Sequence, residues 1–376
     1  MKAPANRDTQ KTKKKKLTAI DLFAGAGGFS LAALLNGIDV RAAVEFDSHA
    51  CETYKSNLIK KRKAKTALFE ADIREVDWNL VLTKANLDKG ECDLLLGGPP
   101  CQGFSTHRIK DAGVDDPRNE LLGSYFESIK AIRPAAFLIE NVPGLLWKRH
   151  ETYLQQFLKA AEGAKYKVFA PIVLNARCYG APQNRKRVFL LGFRADVTTK
   201  ISWPPPASHF SPSDERMKSD GGISWLTAAT VFDKPIPIGD PNDIHMQHSA
   251  EMTKVFKSTP LNGGSRHESN RTLSCHESHN GHKDVYGRID PSKPGPTMTT
   301  ACINPSKGRF LHPTQHHGIC VRHAARFQTF PDDFVFTGGI IASGRQVGNA
   351  VPISLGVALI KEVKRALKSS SKSVPK

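Results

Sequence analysis

The stretch Gly97-Gly98-Pro99-Pro100-Cys101-Gln102-Gly103-Phe104-Ser105 sets a cysteine directly after two prolines, with glycines on both sides. Proline fixes the backbone and glycine lets a second molecule come close. A core cysteine needs neither. A nucleophilic one does, because attack requires a thiolate held in one place with its pKa lowered by its surroundings. Further on, Glu140-Asn141-Val142 closes an apolar run with a carboxylate, and Gln183-Asn184-Arg185-Lys186-Arg187 leads into another. Strand alternation turns Arg185 and Arg187 to one face and Lys186 to the other.

A separate group of residues suits a second ligand. Phe23-Ala24-Gly25-Ala26-Gly27-Gly28-Phe29-Ser30 follows the first apolar run, and its glycines allow close backbone approach and open a helix. Ser30 stands where a full G-x-G-x-x-G needs glycine, and no Gly-Lys-Ser/Thr follows, so a standard dinucleotide fingerprint and a P-loop are both excluded. Glu45 lies twenty residues after Gly25, where an acid can accept both ribose hydroxyls. Asp72-Ile73 ends the next run, where a carboxylate can accept from an adenine amine. Alone, such a turn is only tight and such an acid is a helix cap. Together they specify an adenosine-shaped ligand without a phosphate clamp.

These residues need a scaffold that brings run ends together. Leu17–Leu22, Val40–Val44, Ala67–Phe69, Cys92–Leu96, Ala136–Ile139, Val168–Leu174 and Val188–Phe193 read as strands. Between them, Asn119–Ile132 places Leu121, Tyr125, Ile129 and Ile132 at helical spacing, widened by Leu122 and Phe126. The alternation predicts an α/β fold with a mostly parallel sheet covered on both sides, whose ligands sit beyond the strands' carboxyl ends. After Pro204-Pro205-Pro206, residues 207–310 are rich in Ser, His, Gly, Pro and Asn and read as a second region of loops and short strands. Val347–Leu367 is again apolar and helical.

Hydrophobic residues make up 39% of the 376, too many for a chain disordered throughout, and that length predicts two or three domains. The longest apolar runs, such as Ala135–Ile139, fall far short of the ~18 residues that span a bilayer. A secretory signal over Lys13–Leu35 is excluded by Asp21 and the glycines. The net charge of +18 points to a polyanion, nucleic acid first. Residues 1–16 hold six lysines and one arginine against one aspartate and read as a disordered basic arm. Seven cysteines without a CxxC pair fit free thiols in a reducing cytoplasm. Cys275, His276, His279 and His282 crowd together, but no second CxxC or HxxxH arm completes a zinc set. A nicotinamide oxidoreductase would explain the glycine turn and Glu45 while leaving Pro99-Pro100-Cys101 without a purpose.

In their order along the chain, these segments resemble the bacterial-type cytosine-5 DNA methyltransferases. The likeness runs from Leu17 to about Leu367 and includes Gly348-Asn349-Ala350-Val351-Pro352. It implies a Rossmann-like S-adenosylmethionine-dependent methyltransferase domain (17–205 plus 345–368) and a smaller, loop-rich target-recognition domain with the hinge (206–344). It implies that Cys101 attacks cytosine C6, that Glu140 holds N3 and the exocyclic amine, and that Arg187 contacts O2 with support from Arg185. The S-adenosylmethionine site would comprise Phe23, Gly25, Gly27, Glu45, Asp72, Ile73, Pro100, Leu121 and Asn349, with no metal. Segment His279–Arg288 would meet phosphates and base edges. The implied setting is a monomer in a bacterial cytoplasm, at the nucleoid, acting on duplex DNA. A restriction endonuclease could act beside it, independently, and no membrane is involved. One departure stands out: Cys320-Val321-Arg322-His323 replaces the family's Thr-x-Arg-Glu, which puts the packing of the hinge in question.

Overall fold

Runs that are apolar on both faces can only be central strands, covered above and below. The computed structural model describes residues 16–99, 120–198, 200–219, 221–270 and 284–372. In it β1 (Thr18–Leu22), β2 (Asp39–Glu45), β3 (Ala67–Glu70), β4 (Leu94–Gly97) and β5 (Ala136–Asn141) run parallel in the order β3-β2-β1-β4-β5. The connections wind one way from β1 to β3 and the other way from β4 to β5. The crevice between β1 and β4 is therefore the switch point where such sheets take their ligands.

The sheet is less parallel than the sequence predicts. The run Val168–Leu174 is two strands, β6 (Tyr166–Val168) and β7 (Ile172–Asn175), and both pair antiparallel with β8 (Lys186–Arg194). Phe169 still donates to Leu191 O at 2.8 Å, but Pro171 has no N–H to continue the ladder. β8 also pairs antiparallel with β5 along its whole length.

Helices cover both faces. α1 (Gly28–Leu35) lies on one face, while α2 (Ser48–Tyr54) packs toward the C-terminal hinge. α3 (Trp78–Ala85), α4 (Glu120–Ile132) and α5 (Glu151–Gly163) cover the other face. α4 forms where its apolar spacing predicts it, with Leu122, Tyr125, Ile129 and Ile132 buried.

β9 (Val197–Thr198) follows β8 and pairs antiparallel with Ser371–Lys372. The second region contains β10 (His209–Phe210), α6 (Arg216–Ser219), β11 (Ile223–Ser224), α7 (Ala229–Phe232) and α8 (Ala250–Ser258). The chain returns through α9 (Val321–Phe327), α10 (Gly339–Asn349) and α11 (Ile353–Ser369). Val347–Leu367 is thus not one helix: Ala350-Val351-Pro352 separates α10 from α11, and Asn349 ends α10 instead of riding on the last helix. The expected boundary at 344/345 lies within α10.

α11 places Leu355, Leu359, Val363 and Ala366 on one buried stripe against Phe29, Ala32 and Ala33. Leu359 is wholly buried there. Leu359→Ala is expected to lower the unfolding free energy by about 2–5 kcal/mol, read from urea unfolding of the two proteins.

Candidate active site

The turn after β1 is built from backbone conformations that few residues adopt. Phe23, Gly25 and Gly27 have φ of 55°, 56° and 95°. A Cβ on Gly27 would come within 2.5 Å of Leu58 Cδ1. Gly25 N donates to Glu45 Oε2 at 2.7 Å and Asp47 N to Glu45 Oε1 at 2.8 Å, so the carboxylate at the end of β2 is fixed from both sides. Burial raises its pKa, and the amides of Asp47 and Gly25 pull it back. Each oxygen keeps a lone pair for a hydroxyl. Asp72 caps a short turn, accepts from Arg74 N and Arg74 Nε at 3.0 Å each, and is held below the usual carboxylate range by that arginine. Ile73 is buried, and Leu121, in the first turn of α4, is half-buried against the same core.

At the carboxyl end of β4, Gly97 must be glycine, because a Cβ would lie 2.4 Å from the Tyr125 ring. A Cβ on Gly98 would lie 3.4 Å from Glu140 Oε2, so the Gly-Pro loop starts directly over Glu140. Asn141 Nδ2 donates to Pro99 O at 3.4 Å. Pro100 and Cys101 lie outside the described residues, as do residues 1–15. Cys51, Cys92, Cys302 and Cys320 are buried, and burial pushes each thiol up to about 12, so none of the four offers a thiolate at neutral pH.

Glu140 and Arg187 meet. Arg187 Nε lies 2.9 Å from Glu140 Oε1, with both side chains about nine-tenths buried. Arg185 does not join them. Its guanidinium donates to the carbonyls of Met298 (2.7 Å), Gly348 (2.8 Å) and Ala350 (3.0 Å), so it braces the backbone around Asn349 instead of facing a base. Asn349 itself is exposed.

The recognition segment also differs from expectation. His279–Lys283 lie outside the described residues, as do Cys275 and His276. Arg288 is fully buried and donates to the carbonyls of Phe256 (2.6 Å), Thr259 (2.9 Å) and His312 (2.8 Å), which removes it from any base edge. Asp284 pairs with Arg309 at 3.0 Å. The altered hinge motif packs well. Cys320 Sγ accepts from His323 N and lies 3.2 Å from His323 Nδ1, while Arg322 pairs with Asp240 with both side chains buried. Among the described residues, no group of three His, Cys, Asp or Glu side chains is placed to hold a metal, and no helix is long and apolar enough to cross a membrane.

Two residues escaped the sequence reading. Phe46, 74% exposed immediately after Glu45, offers an aromatic face beside the acid. Asp21 is buried within β1, accepts from Ser30 Oγ at 2.7 Å, and keeps Oδ1 without a partner. An acid inside an apolar strand next to the glycine turn was the available signal.

The family model for C-5 cytosine-specific DNA methylases matches residues 17–365. The chain belongs to that family. Among its relatives, the Type II methyltransferase M1.HphI of Haemophilus parahaemolyticus is 34% identical over 92% of this chain and 86% of its own. M.FnuDI of Fusobacterium nucleatum is 32% identical over 94% and 96%. A prophage-encoded DNA modification methyltransferase from E. coli superimposes with a TM-score of 0.72, at 25% identity over 94% of this chain and 100% of that one. The fold is that of the S-adenosylmethionine-dependent methyltransferases, and duplex DNA is the methylase's substrate.

Burial pushes the Asp21 carboxyl up to about 7, against about 4 in an unfolded chain. The protonated form suits the folded state, so its contribution to stability is present below pH 4 and is lost as pH rises through 7. The methylase should lose about 3 kcal/mol between pH 5 and pH 8 that Asp21→Asn retains. Denaturant unfolding of both proteins at the two pH values checks this; parallel pH profiles would contradict it.

Proposed function

We propose that this methylase transfers the methyl group of S-adenosylmethionine to C5 of a cytosine flipped out of duplex DNA, with Cys101 as nucleophile. The observation that carries the reading is the Glu140–Arg187 pair, 2.9 Å apart at the sheet edge beneath Gly98-Pro99. An adjacent acceptor and donor match the N4 amine and O2 of cytosine, whereas a thymine would set its O4 against the carboxylate. The target is buried in a stacked duplex, so it must leave the helix to reach this pair. The Cys101 thiolate adds to C6 while Glu140 accepts from the exocyclic amine and shares a proton with N3, which takes up the charge that attack builds on the ring. Electron density then moves to C5, which takes the methyl. Loss of the C5 proton and departure of the thiolate then restore the ring.

The donor's site fits the residues present. Glu45 is fixed by two amides with lone pairs left for ribose hydroxyls, and Phe46 presents an open aromatic face beside it. The glycine turn offers close approach without a phosphate-binding lysine. Asp72, both of whose oxygens accept from Arg74, would offer a remaining lone pair to the adenine amine, and Phe23, Ile73, Pro100, Leu121 and Asn349 would complete the enclosure. The bound donor supplies an electrophilic methyl on sulfonium, and no metal is required. Residues 206–344 form the target-recognition region and hinge, and the Lys-rich arm adds sequence-independent phosphate affinity. The relatives' designation as Type II methyltransferases supports a place as the modification partner of a restriction endonuclease.

Methyl-labelled S-adenosylmethionine and duplex DNA test the reaction directly. Label is expected at cytosine C5 in one short sequence context, undiminished by EDTA; label on an exocyclic nitrogen would refute the assignment. Cys101→Ser should bind S-adenosylhomocysteine normally yet lose turnover by several orders of magnitude, because a hydroxyl is far less ionised than a thiol. DNA carrying 5-fluorocytosine should trap wild-type protein through Cys101, since fluorine cannot leave as a proton.

Glu140→Gln keeps the shape but removes the carboxyl group that pairs with Arg187 and can share a proton with N3. Adduct formation on 5-fluorocytosine DNA should slow by ~10²–10⁴. Cofactor affinity, set by Glu45 and Asp72, should stay within a factor of two. Near-normal adduct formation would take Glu140 off the catalytic list.

A further inference from the structure

Two buried polar side chains, Gln328 and Arg185, hold the segment Val347–Ala350, and a third, Gln183, holds Gln328; neither glutamine has a role in the chemistry above. Gln328, just past the end of α9, is wholly buried. Its Nε2 donates to Val347 O at 2.6 Å and to Ala350 O at 2.9 Å. Its Oε1 accepts from Gln183 Nε2 at 2.7 Å, and its backbone carbonyl accepts from Ile353 N at 3.0 Å. Gln183, also wholly buried, donates to Phe327 O at 2.6 Å and accepts from Met298 N at 3.1 Å. Every donor and acceptor of the two amides is thus used. Turning either amide over would set oxygen against oxygen, so the orientation of each is fixed by the other.

The segment they hold is pinned from a third side. A Cβ on Gly348 would lie 2.3 Å from the backbone of Thr299 and Thr300, so residues 298–300 pack directly on it. Arg185 takes the carbonyls of Gly348 and Ala350 as well as that of Met298. The inner face of Val347–Ala350 is therefore fully committed, and Asn349 alone points outward.

We propose that Gln328 is a positioning residue of the methyl-transfer site. Its carboxamide fixes the wall that carries Asn349 and, through Gln183, the seat of recognition residues 295–298. The proposal rests on the reading of Asn349 as a cofactor contact. Neither isostere replaces Gln328. Methionine fills the volume without a donor, and glutamate sets a charge against two carbonyls.

The test titrates S-adenosylhomocysteine into the full-length wild type, Gln328→Met, Gln183→Met, the double variant and Asn349→Ala, well below each melting temperature. Gln328→Met should bind about tenfold more weakly with its secondary structure intact. The double variant should be no more than about twofold weaker than the worse single, because the two amides act as one unit. If Gln328→Met does not fold, Gln328→Asn, polar but one methylene short, should show a threefold to tenfold loss. A role in overall stability alone would lower melting temperatures and leave this affinity unmoved. Wild-type affinity in the Gln328 variants, with Asn349→Ala weakened, overturns the proposal and spares the cofactor reading. If Asn349→Ala binds normally, the reading of Asn349 fails and the proposal falls with it.

Discussion

Arg187 reaches Glu140 because β8 runs against the strand it pairs with. Parallel strands deliver only their carboxyl ends to the ligand edge, so a residue that begins a parallel strand lies at the opposite edge of the sheet. β8 pairs antiparallel with β5, with Asn141 opposite Val188. The first residues of β8 therefore arrive where the last residues of β5 end. A carboxylate leaving one strand and a guanidinium entering the next come within 2.9 Å without a long loop. The neighbouring backbone is arranged around that pair. Gly98 passes over Glu140, Asn141 holds Pro99, and Arg185, two residues before Arg187, ties the edge to Gly348 and Ala350.

The positive charge of the chain is not all offered to DNA. Arg185, Arg288 and Arg322 are among its most buried large side chains, and Arg326 is nearly so. Among the described residues, Arg185 and Arg288 serve backbone carbonyls without a carboxylate in ion-pair reach, whereas Arg322 and Arg326 add Asp240 and Asp332. A loop-rich region has many main-chain carbonyls and few ladders to satisfy them, and an unpaired buried carbonyl is costly. A guanidinium with five donors in one plane closes several at once. The desolvation cost of each arginine is thus offset by the loop groups it satisfies. The altered hinge motif works within this scheme, since Arg322 keeps its aspartate while Cys320 and His323 cap the helix between themselves.

The sequence was most legible where periodicity or chain order decides. Fully apolar runs gave the central strands, spacing gave α4, and strand ends gave Glu45, Asp72 and Glu140. It was least legible where one backbone hydrogen bond decides. Pro171 divides one apolar run into β6 and β7, and Pro352 separates α10 from α11, which moves Asn349 from the start of a helix to the end of one. Alternation separates Arg185 and Arg187 from the exposed Lys186, yet it is silent on partners distant along the chain. Arg185 meets Met298, Gly348 and Ala350, and Arg288 meets Phe256 and His312, contacts that only the closed fold creates. An arginine in a turn-rich segment has the same local signature whether it faces a phosphate or a carbonyl.

Several unfavourable features lie within one loop and its neighbours. Phe23 holds a left-handed backbone that costs about 1–3 kcal/mol for a residue with a side chain. Asp21 sits buried with one oxygen unpartnered, and Glu45 is raised by burial although two amides support it. Apart from Thr18 at the start of β1, the other buried positions on β1 and β2 are apolar, so the sheet itself does not require these groups. Their cost is local to the switch point between β1 and β4, where a ligand with hydroxyls and a positive sulfonium can meet acceptors that water does not reach. Groups held in this way are reorganised during folding and not during binding, which suits their place at the ends of rigid strands.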